Sequence, residues 1–246
     1  MDTKGIIEPY TAISSVYDHL LKHVDYDSWY YYIRSIMLKH IESPKRILEL
    51  GCGTGRFGVK FSRDNFLIYG MDKSIDMLRI AKLRAFKGFH IFCGDMTNFH
   101  LSKPFDFIFS VHDTMNYLIQ YKDIRMVLSS VKKIMHESSV FLFDITTEYN
   151  IKKYFDKKTL KYKIKDMGIE WSNKYDAREK LIYSYLKLNK NSGVEVTERH
   201  KQRIYTVDEM QGLIEQENFH IIDVFGDYSF SPVKRDTIMI NFIIKK

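Results

Sequence analysis

Short apolar runs alternate with amphipathic stretches through the first 150 residues of the chain. Five runs are predicted to be buried strands because they are short, rich in β-branched and aromatic residues, and bounded by turn residues. They are 46–50 (RILEL), 66–71 (FLIYGM), 89–93 (FHIFC), 105–111 (FDFIFSV) and 140–145 (VFLFDI). The segments between them predict helices, at about 74–86 with Ser74 as cap and at about 123–136. This alternation indicates βαβ units and a parallel sheet covered on both faces.

The pattern differs on either side of this region. Residues 10–41 carry apolar side chains at helical spacing and predict two helices, which Pro44 separates from the first strand. From about residue 161 to 205, apolar and polar residues alternate loosely, which predicts three or four antiparallel strands inserted into, or laid over, the main domain. Residues 189–193 (NKNSG) predict a turn between two of these strands.

The C-terminal residues return to the α/β pattern. Thr206 and Glu209 match a capping box, which predicts a helix through about residue 217. Two further strands, at 221–225 and 237–244, are expected to complete the main sheet. We therefore divide the chain into N-terminal helices that form a lid (1–44), a cofactor-binding core (45–150), an antiparallel insertion that caps the substrate (151–205) and a C-terminal helix and strand pair (206–246).

Composition excludes several protein classes. The 246 residues are 45% hydrophobic and 28% charged, which excludes a disordered or collagen-like chain. Two isolated cysteines, Cys52 and Cys93, form neither a disulfide framework nor a zinc cluster and suit a reducing compartment. No apolar run approaches the ~18 residues of a membrane span, and the first fifteen residues lack the apolar core of a secretion signal. We expect a soluble cytoplasmic protein that does not use a membrane.

The strongest chemical signal is a glycine-rich loop at 49–58 (ELGCGTGRFG), which follows a strand and opens a helix. Glycines there let the backbone turn tightly and approach a ligand closely, and the free N–H groups of a helix start favour an anion. Gly53, Gly55 and Gly58 satisfy the G-x-G-x-x-G fingerprint, and Asp72 lies 19 residues after Gly53. These residues indicate an adenosine ribose at the carboxyl edge of the sheet, and they leave a nicotinamide dinucleotide open as the ligand.

Three further features are more specific. Glu49 opens an E-L-G-C-G-T-G string, Gly94-Asp95-Met96 ends the third strand, and residues 105–108 (FDFI) open the fourth. In this order, and at strand ends, they resemble the class I S-adenosylmethionine-dependent methyltransferases over about 45–145. The resemblance implies a seven-stranded Rossmann-like α/β fold, which is a parallel sheet with one antiparallel C-terminal strand, here with an inserted antiparallel sheet. It also implies S-adenosyl-L-methionine as the cofactor, with no metal.

The resemblance further implies roles for individual residues. The glycine bend would pass beneath the methionine part of the cofactor, and Asp72 would accept hydrogen bonds from both ribose hydroxyls. Asp95 would accept from the adenine amino group, beside the backbone N–H of Met96, and Ser110 would offer its carbonyl to the methionine ammonium. The expected cofactor-binding residues are Tyr17, Glu49, Gly51, Cys52, Gly53, Asp72, Lys73, Met77, Asp95, Met96 and Ser110.

The methyl acceptor is expected over the end of the fourth strand, beneath the N-terminal helices. Residues 110–118 (SVHDTMNYL) leave that strand dense in polar groups. His112 is a candidate base by its ordinary pKa, and Asp113 would orient it or bind a cationic substrate. The expected catalytic residues are His112, Asp113 and Tyr117, and the expected substrate-binding residues are Tyr10, Asn116, His200 and Arg203. The last two depend on the antiparallel sheet folding over the pocket.

One branch of the superfamily is more similar in layout. It shares the Tyr10-x6-Tyr17-Asp18 string, the D-T-M-N-Y-L string at 113–118 and a curved antiparallel sheet after the fifth strand. This branch includes amino-sugar N,N-dimethyltransferases and uncharacterised bacterial enzymes, and it implies a small-molecule acceptor methylated at nitrogen or oxygen. Tyr10 and Tyr17 would either close over the cofactor or only pack a helix onto the sheet.

Other functions stay open at this stage. The net charge of +7 permits an enzyme that acts on RNA or protein. The basic clusters are short and lack interleaved aromatic residues, however, which disfavours a nucleic-acid partner. A non-catalytic module that senses the cofactor and a nicotinamide-dependent oxidoreductase are the remaining alternatives, and the sequence does not indicate the oligomeric state.

Overall fold

The structure is a computed structural model that describes residues 6–190 and 195–246. Residues 191–193 of the predicted 189–193 turn lie outside the described residues. The strands are β1 (Ile6–Ile7), β2 (Arg46–Leu50), β3 (Leu67–Asp72), β4 (Phe89–Cys93), β5 (Phe105–Ser110), β6 (Met135–Thr146), β7 (Thr159–Ile164), β8 (Met167–Asp176), β9 (Leu181–Lys190), β10 (Glu195–Arg203), β11 (His220–Gly226), β12 (Ser231–Pro232) and β13 (Met239–Lys245).

The helices alternate with the strands of the core. They are α1 (Tyr17–Leu20), α2 (Tyr26–His40), α3 (Arg56–Arg63), α4 (Ile75–Arg84), α5 (Tyr121–Lys133), α6 (Glu148–Asn150) and α7 (Val207–Gln216). Short 3₁₀ turns cover Ile13–Val16 and Thr114–Tyr117, and a π-helical turn covers Ile151–Phe155. Of the described helices, none is both long and apolar enough to cross a bilayer.

Within the described residues the strands form two sheets. The larger has the order β12-β11-β13-β6-β5-β2-β3-β4, and the smaller has the order β1-β10-β9-β8-β7. Strands β2 to β6 pair in parallel, whereas β13 runs antiparallel to β6 and to β11. The expected Rossmann-like sheet with one antiparallel C-terminal strand is thus confirmed, and the two-residue β12 extends it by one edge strand. The second, antiparallel sheet is also present.

Local sequence explains the ends of the core helices. Ser74 caps α4 by accepting the Met77 N–H at 3.2 Å, as predicted. Thr206 and Glu209 form the predicted reciprocal capping box of α7. Apolar clusters cover both faces of the large sheet, so its strands are buried on two sides and its polar groups concentrate at the strand ends.

The N-terminal segment departs from the two predicted helices. Residues 13–20 form only a 3₁₀ turn followed by one helical turn, and α2 is the single long helix before the core. The N–H groups of Tyr10, Ala12 and Ile13 donate to the carboxylate of Glu198 instead of entering a helix. Apolar side chains of this segment pack against the small sheet, so the segment lies between the two sheets. β1, which the sequence pattern did not predict, pairs in parallel with β10.

Candidate active site

A cavity of about 890 Å³ opens at the carboxyl ends of β2, β3, β4 and β5, beneath the N-terminal segment. Parallel strands all end at this edge, and ligands of open α/β sheets bind there. Thirteen of the predicted site residues line it among the residues that the structure describes: Tyr10, Tyr17, Glu49, Gly51, Cys52, Gly53, Asp72, Lys73, Met77, Asp95, Met96, His112 and Tyr117.

The glycine bend forms one wall of the cavity. Gly51, Gly53 and Gly55 have φ of +72°, +51° and +76°, a left-handed conformation that side-chain-bearing residues adopt only with strain. A Cβ added at Gly51 would lie 2.4 Å from Cγ2 of Thr114 on the opposite side. Gly58 has a different role, because its Cβ would lie 2.1 Å from the ring of Phe89 in the core. The third glycine of the fingerprint therefore serves helix packing.

Asp72 lies at the end of β3 and is fixed by the bend itself. Its Oδ2 accepts the Gly53 N–H and its Oδ1 accepts the Ser74 N–H, both at 2.8 Å. Burial raises the pKa of Asp72, and these backbone hydrogen bonds partly oppose the rise. Each carboxylate oxygen keeps a further lone pair, so the group can accept two more hydrogen bonds from a ligand in the cavity.

Asp95 occupies the equivalent position after β4. Its Oδ1 accepts hydrogen bonds from the backbone N–H and the hydroxyl of Thr97, at 2.9 and 2.6 Å, and its Oδ2 lies 3.2 Å from Nζ of Lys73. Burial opposes ionisation, but the hydrogen bonds from Thr97 and Lys73 outweigh it and lower the pKa of Asp95. Asp95 is therefore an ionised, oriented acceptor on the same cavity as Asp72.

Glu49 lies beneath the bend and is 2% exposed. Burial, together with the nearby Asp72, raises its pKa well above the ordinary range. Its Oε2 atom has no hydrogen-bond partner within residues 6–190 and 195–246. Since a buried polar atom without a partner is costly, this oxygen fits a ligand that brings a donor or a positive charge to the bend.

His112 and Asp113 follow β5 in strained backbone conformations, with φ of +65° and +51°. Their N–H groups donate to the two carboxylate oxygens of the buried Asp144, which also accepts the hydroxyl of Tyr228. These hydrogen bonds offset the strain and hold the tight turn. Burial raises the pKa of Asp144 to about 7.

The imidazole of His112 lines the cavity, with Nδ1 3.5 Å from the hydroxyl of Tyr17. Burial lowers the pKa of His112 to about 4, so the ring is neutral at physiological pH but a weak base. Asp113 does not orient it, contrary to the sequence-based expectation. The Asp113 carboxylate instead accepts a hydrogen bond from Gln202 at 2.5 Å. Burial raises the pKa of Asp113 to about 6.

Besides Asp113, four predicted residues lie outside the cavity lining that the described residues form: Ser110, Asn116, His200 and Arg203. Ser110 is buried one residue below it, with its hydroxyl on the carbonyl of Leu50, and Val111 takes its place in the lining. Asn116 is also buried. Its side-chain amide donates a hydrogen bond to the carbonyl of Arg203 and accepts one from the N–H of Thr146. The expectation of substrate contact by Asn116 is wrong, because its polar atoms already join three elements of the fold.

His200 and Arg203, both on β10, were expected to face one pocket, but residues three apart on a strand point to opposite faces. Arg203 lies on the outer side, 4.7 Å from the ring of Tyr121 and 4.0 Å from the Glu209 carboxylate. His200 points inward and is 5% exposed, and a 2.8 Å hydrogen bond joins it to the hydroxyl of Tyr117, which lines the cavity.

Two residues that sequence reasoning missed fix the roof of the cavity. Glu198 accepts the three backbone N–H groups of the N-terminal segment. Asp18 of α1 accepts a hydrogen bond from Thr54 at 2.7 Å and pairs with Arg84. Asp18 belongs to the Tyr-x6-Tyr-Asp string, so a signal for it existed. The sequence signal for Glu198 was weak: it lies two residues before His200 and therefore on the same face of the strand.

Comparison with known proteins gives matches over the core and over the whole chain. Residues 47–138 match the family model of a methyltransferase domain. A candidate methyltransferase of Geobacillus sp. (strain WCH70) is 23% identical over 96% of this chain and 99% of its own length.

Solved structures extend the likeness to the complete fold. The crystal structure of an S-adenosylmethionine-dependent methyltransferase from Clostridium acetobutylicum is 25% identical, with a TM-score of 0.83 over 96% of this chain and 98% of that one. The sugar N-methyltransferase KedS8 from Streptoalloteichus is 11% identical with a TM-score of 0.74, over 100% of this chain and 96% of that one, and so shares the fold. With the ordered motifs and the strand order, these matches show that the chain is a class I S-adenosylmethionine-dependent methyltransferase.

Proposed function

We propose that this enzyme methylates a nitrogen or oxygen atom of a small molecule, and that an amine is the favoured acceptor. The observation that carries the proposal is a single cavity that joins the two strand-end carboxylates, Asp72 and Asp95, to an acceptor side closed over by Tyr10, Tyr17 and Tyr117. A roof above the reaction centre suits a small acceptor better than a polymer. The shared fold with a sugar N-methyltransferase agrees with this size of acceptor.

The residues present fit S-adenosyl-L-methionine, the cofactor of this class. Asp72 would hold the two ribose hydroxyls, and Asp95 with the backbone of Met96 would hold the adenine, against which Met77 packs. The close approach of Gly51 to Thr114 leaves room only for backbone, so the bend would lie against the methionine part. The unpartnered oxygen of Glu49 would receive the methionine ammonium, a role that the sequence had suggested for the carbonyl of Ser110. When bound, the cofactor supplies a methyl group already activated by the positive sulfur.

The chain's own residues then position the acceptor and exclude water. Tyrosine hydroxyls and the neutral imidazole of His112 surround the acceptor side, where they can align a nucleophile. The Asp18 and Glu198 contacts hold the N-terminal segment over the cavity, and we propose that this segment is the lid. Opening of the lid would have to break both contacts, since each joins the segment to a different part of the molecule.

Electrostatics favour an amine among the possible acceptors. Of the described residues that line the cavity, six have acidic side chains and two are cations; these are Glu8, Glu49, Asp72, Asp76, Asp95 and Asp123 against Arg56 and Lys73. Burial disfavours the charged form of Glu49, and the other five acidic side chains still outnumber the cations. The cavity is therefore acidic in a chain whose net charge is +7. Such a site attracts a cationic sulfonium and an ammonium substrate, whereas RNA, a polyanion, would be repelled.

An acceptor screen tests this proposal. The protein is incubated with S-adenosylmethionine and separate pools of small amines, including amino sugars, small alcohols, total RNA and unfolded protein, and release of S-adenosylhomocysteine is measured. We expect release with the amine pool to exceed the release from protein incubated with S-adenosylmethionine alone. Release with RNA or protein alone would contradict a small-molecule acceptor, and release with the alcohols alone would contradict the preference for an amine.

A further inference from the structure

A continuous chain of hydrogen bonds runs from the cavity into the small sheet. The hydroxyl of Tyr10 donates to that of Tyr117 at 2.6 Å, and the Tyr117 oxygen lies 2.8 Å from Nδ1 of His200. On the far side of the imidazole, Nε2 lies 3.1 Å from Oε2 of Glu198. Tyr10 and Tyr117 line the cavity, whereas His200 and Glu198 lie behind them.

The Glu198 carboxylate determines which group donates and which accepts in each of these hydrogen bonds. A carboxylate can only accept, so Nε2 of His200 carries the proton that Glu198 receives. In the neutral ring Nδ1 is then unprotonated, and its lone pair accepts the hydroxyl proton of Tyr117. Hydroxyl, imidazole and carboxylate therefore stand in the order that activates a hydroxyl group in hydrolases of the serine type.

Burial gives Tyr10, Tyr117 and Glu198 the properties that proton transfer along these hydrogen bonds requires. Burial raises the pKa of Tyr10 and of Tyr117 well above the ordinary range, so both phenols stay protonated and can pass a proton without ionising. Glu198 is fully buried and also accepts three backbone N–H groups. Such hydrogen bonds stabilise a carboxylate, and a buried carboxylate stabilises an imidazolium formed beside it.

We propose that Tyr117, His200 and Glu198 form a proton relay that removes a proton from the methyl acceptor, an inference that rests on the proposed function. An acceptor that enters as an ammonium ion has no free lone pair. In the relay its N–H bond breaks and the electron pair stays on nitrogen, while the proton moves to the hydroxyl oxygen of Tyr117. The hydroxyl proton of Tyr117 passes to Nδ1 of His200, which leaves a neutral amine, a neutral phenol and an imidazolium paired with the Glu198 carboxylate.

In this scheme Tyr117 is the catalytic residue, and His200 and Glu198 act through it. His112 lines the cavity itself, but no carboxylate of the described residues is hydrogen-bonded to its ring, and burial makes it a weak base. The titratable groups that face His200 come from three elements: Glu198 from β10, Tyr117 and Asp113 from the turn after β5, and Tyr10 from the N-terminal segment.

Two measurements on the full chain test the relay. The first is ¹⁵N NMR of the histidine side chains, for which we expect the neutral Nε2–H tautomer at His200 and its loss of Nδ1 hydrogen bonding in Tyr117→Phe. The second is the pH profile of kcat with an amine from the acceptor screen. His200→Gln and Tyr117→Phe are each expected to lower kcat about 10²- to 10⁴-fold, the usual contribution of general acid–base catalysis, and to remove the acidic limb of the profile.

Controls separate the relay from a structural effect. The affinity for S-adenosylhomocysteine should stay within about 3-fold in both variants, a change of less than ~0.7 kcal/mol, and His220→Gln, at an exposed site, should behave as the unaltered protein. An Nδ1–H tautomer at His200, or a His200→Gln variant with full kcat and an unchanged profile, would overturn the relay alone. An unaltered protein that binds S-adenosylhomocysteine but turns over no small molecule would overturn the proposed function instead.

Discussion

We expect the Asp72→Ala variant to bind S-adenosylhomocysteine about 10- to 150-fold more weakly than the unaltered protein, as measured by titration calorimetry. The carboxylate would accept both ribose hydroxyls, and the loss of hydrogen bonds to a charged group costs about 1.5–3 kcal/mol. Its two existing hydrogen bonds, from Gly53 and Ser74, hold the cavity wall in place. The variant therefore loses the ligand contact and part of the preorganisation of the bend.

A matched control is available at the opposite end of the sheet. Asp106 also accepts two backbone N–H groups, from Lys45 at 2.8 Å and Arg46 at 2.7 Å, but it lies away from the cavity. Asp106→Ala should lower the free energy of unfolding at least as much as Asp72→Ala does, because Asp106 also binds Nε2 of His136 at 2.8 Å. It should leave the affinity for S-adenosylhomocysteine unchanged. If Asp72→Ala bound S-adenosylhomocysteine as tightly as the unaltered protein, Asp72 would not be a cofactor-binding residue.

The second large effect is expected at Glu198, where alanine should lower the free energy of unfolding by about 2–4 kcal/mol. The change leaves the N–H groups of Tyr10, Ala12 and Ile13 without their acceptor, and each buried unsatisfied group costs about 1–3 kcal/mol. The total stays below the sum because the released segment can move out and bind water. Denaturant unfolding measures the loss, and amide hydrogen exchange at Ala12 and Ile13 should accelerate beyond that of the core strands.

Glu195 provides the comparison for this variant. It lies on the same strand but is exposed, and its carboxylate bonds only the side chain of Asn189 among the described residues. Glu195→Ala should change the free energy of unfolding by no more than about 0.5 kcal/mol. If Glu198→Ala were as stable as Glu195→Ala, with unchanged exchange at Ala12, the carboxylate would not hold the roof of the cavity.

The core of the fold could be predicted from the sequence because its signals are local. Runs such as 66–71 (FLIYGM) carry no polar side chain on either face, which is typical of a strand buried inside a parallel sheet. Since parallel strands end at one edge, the sequence alone places Asp72 and Asp95 at a common edge of the sheet. The capping residues Ser74 and Thr206 act within four residues of themselves and were equally predictable.

The roof of the cavity could not be predicted, because it depends on contacts between distant parts of the chain. The hydrogen bond from Tyr10 to Glu198 joins residues 188 positions apart, and no periodic pattern marks either end. The expectation that Asp113 orients His112 was wrong at the turn after β5. There the left-handed turn after β5, held by Asp144 from the next strand, decides which side chains reach the cavity. The error at Arg203 was avoidable, since strand alternation alone separates it from His200.

The most direct test of the account is a crystal structure of the protein with S-adenosylhomocysteine bound. We expect both oxygens of Asp72 within hydrogen-bond distance of the two ribose hydroxyls, and a carboxylate oxygen of Asp95 within the same distance of the adenine amino group. Density that shows the nucleoside elsewhere, or either carboxylate directed away from it, would contradict the claim that these two strand ends hold one adenosine.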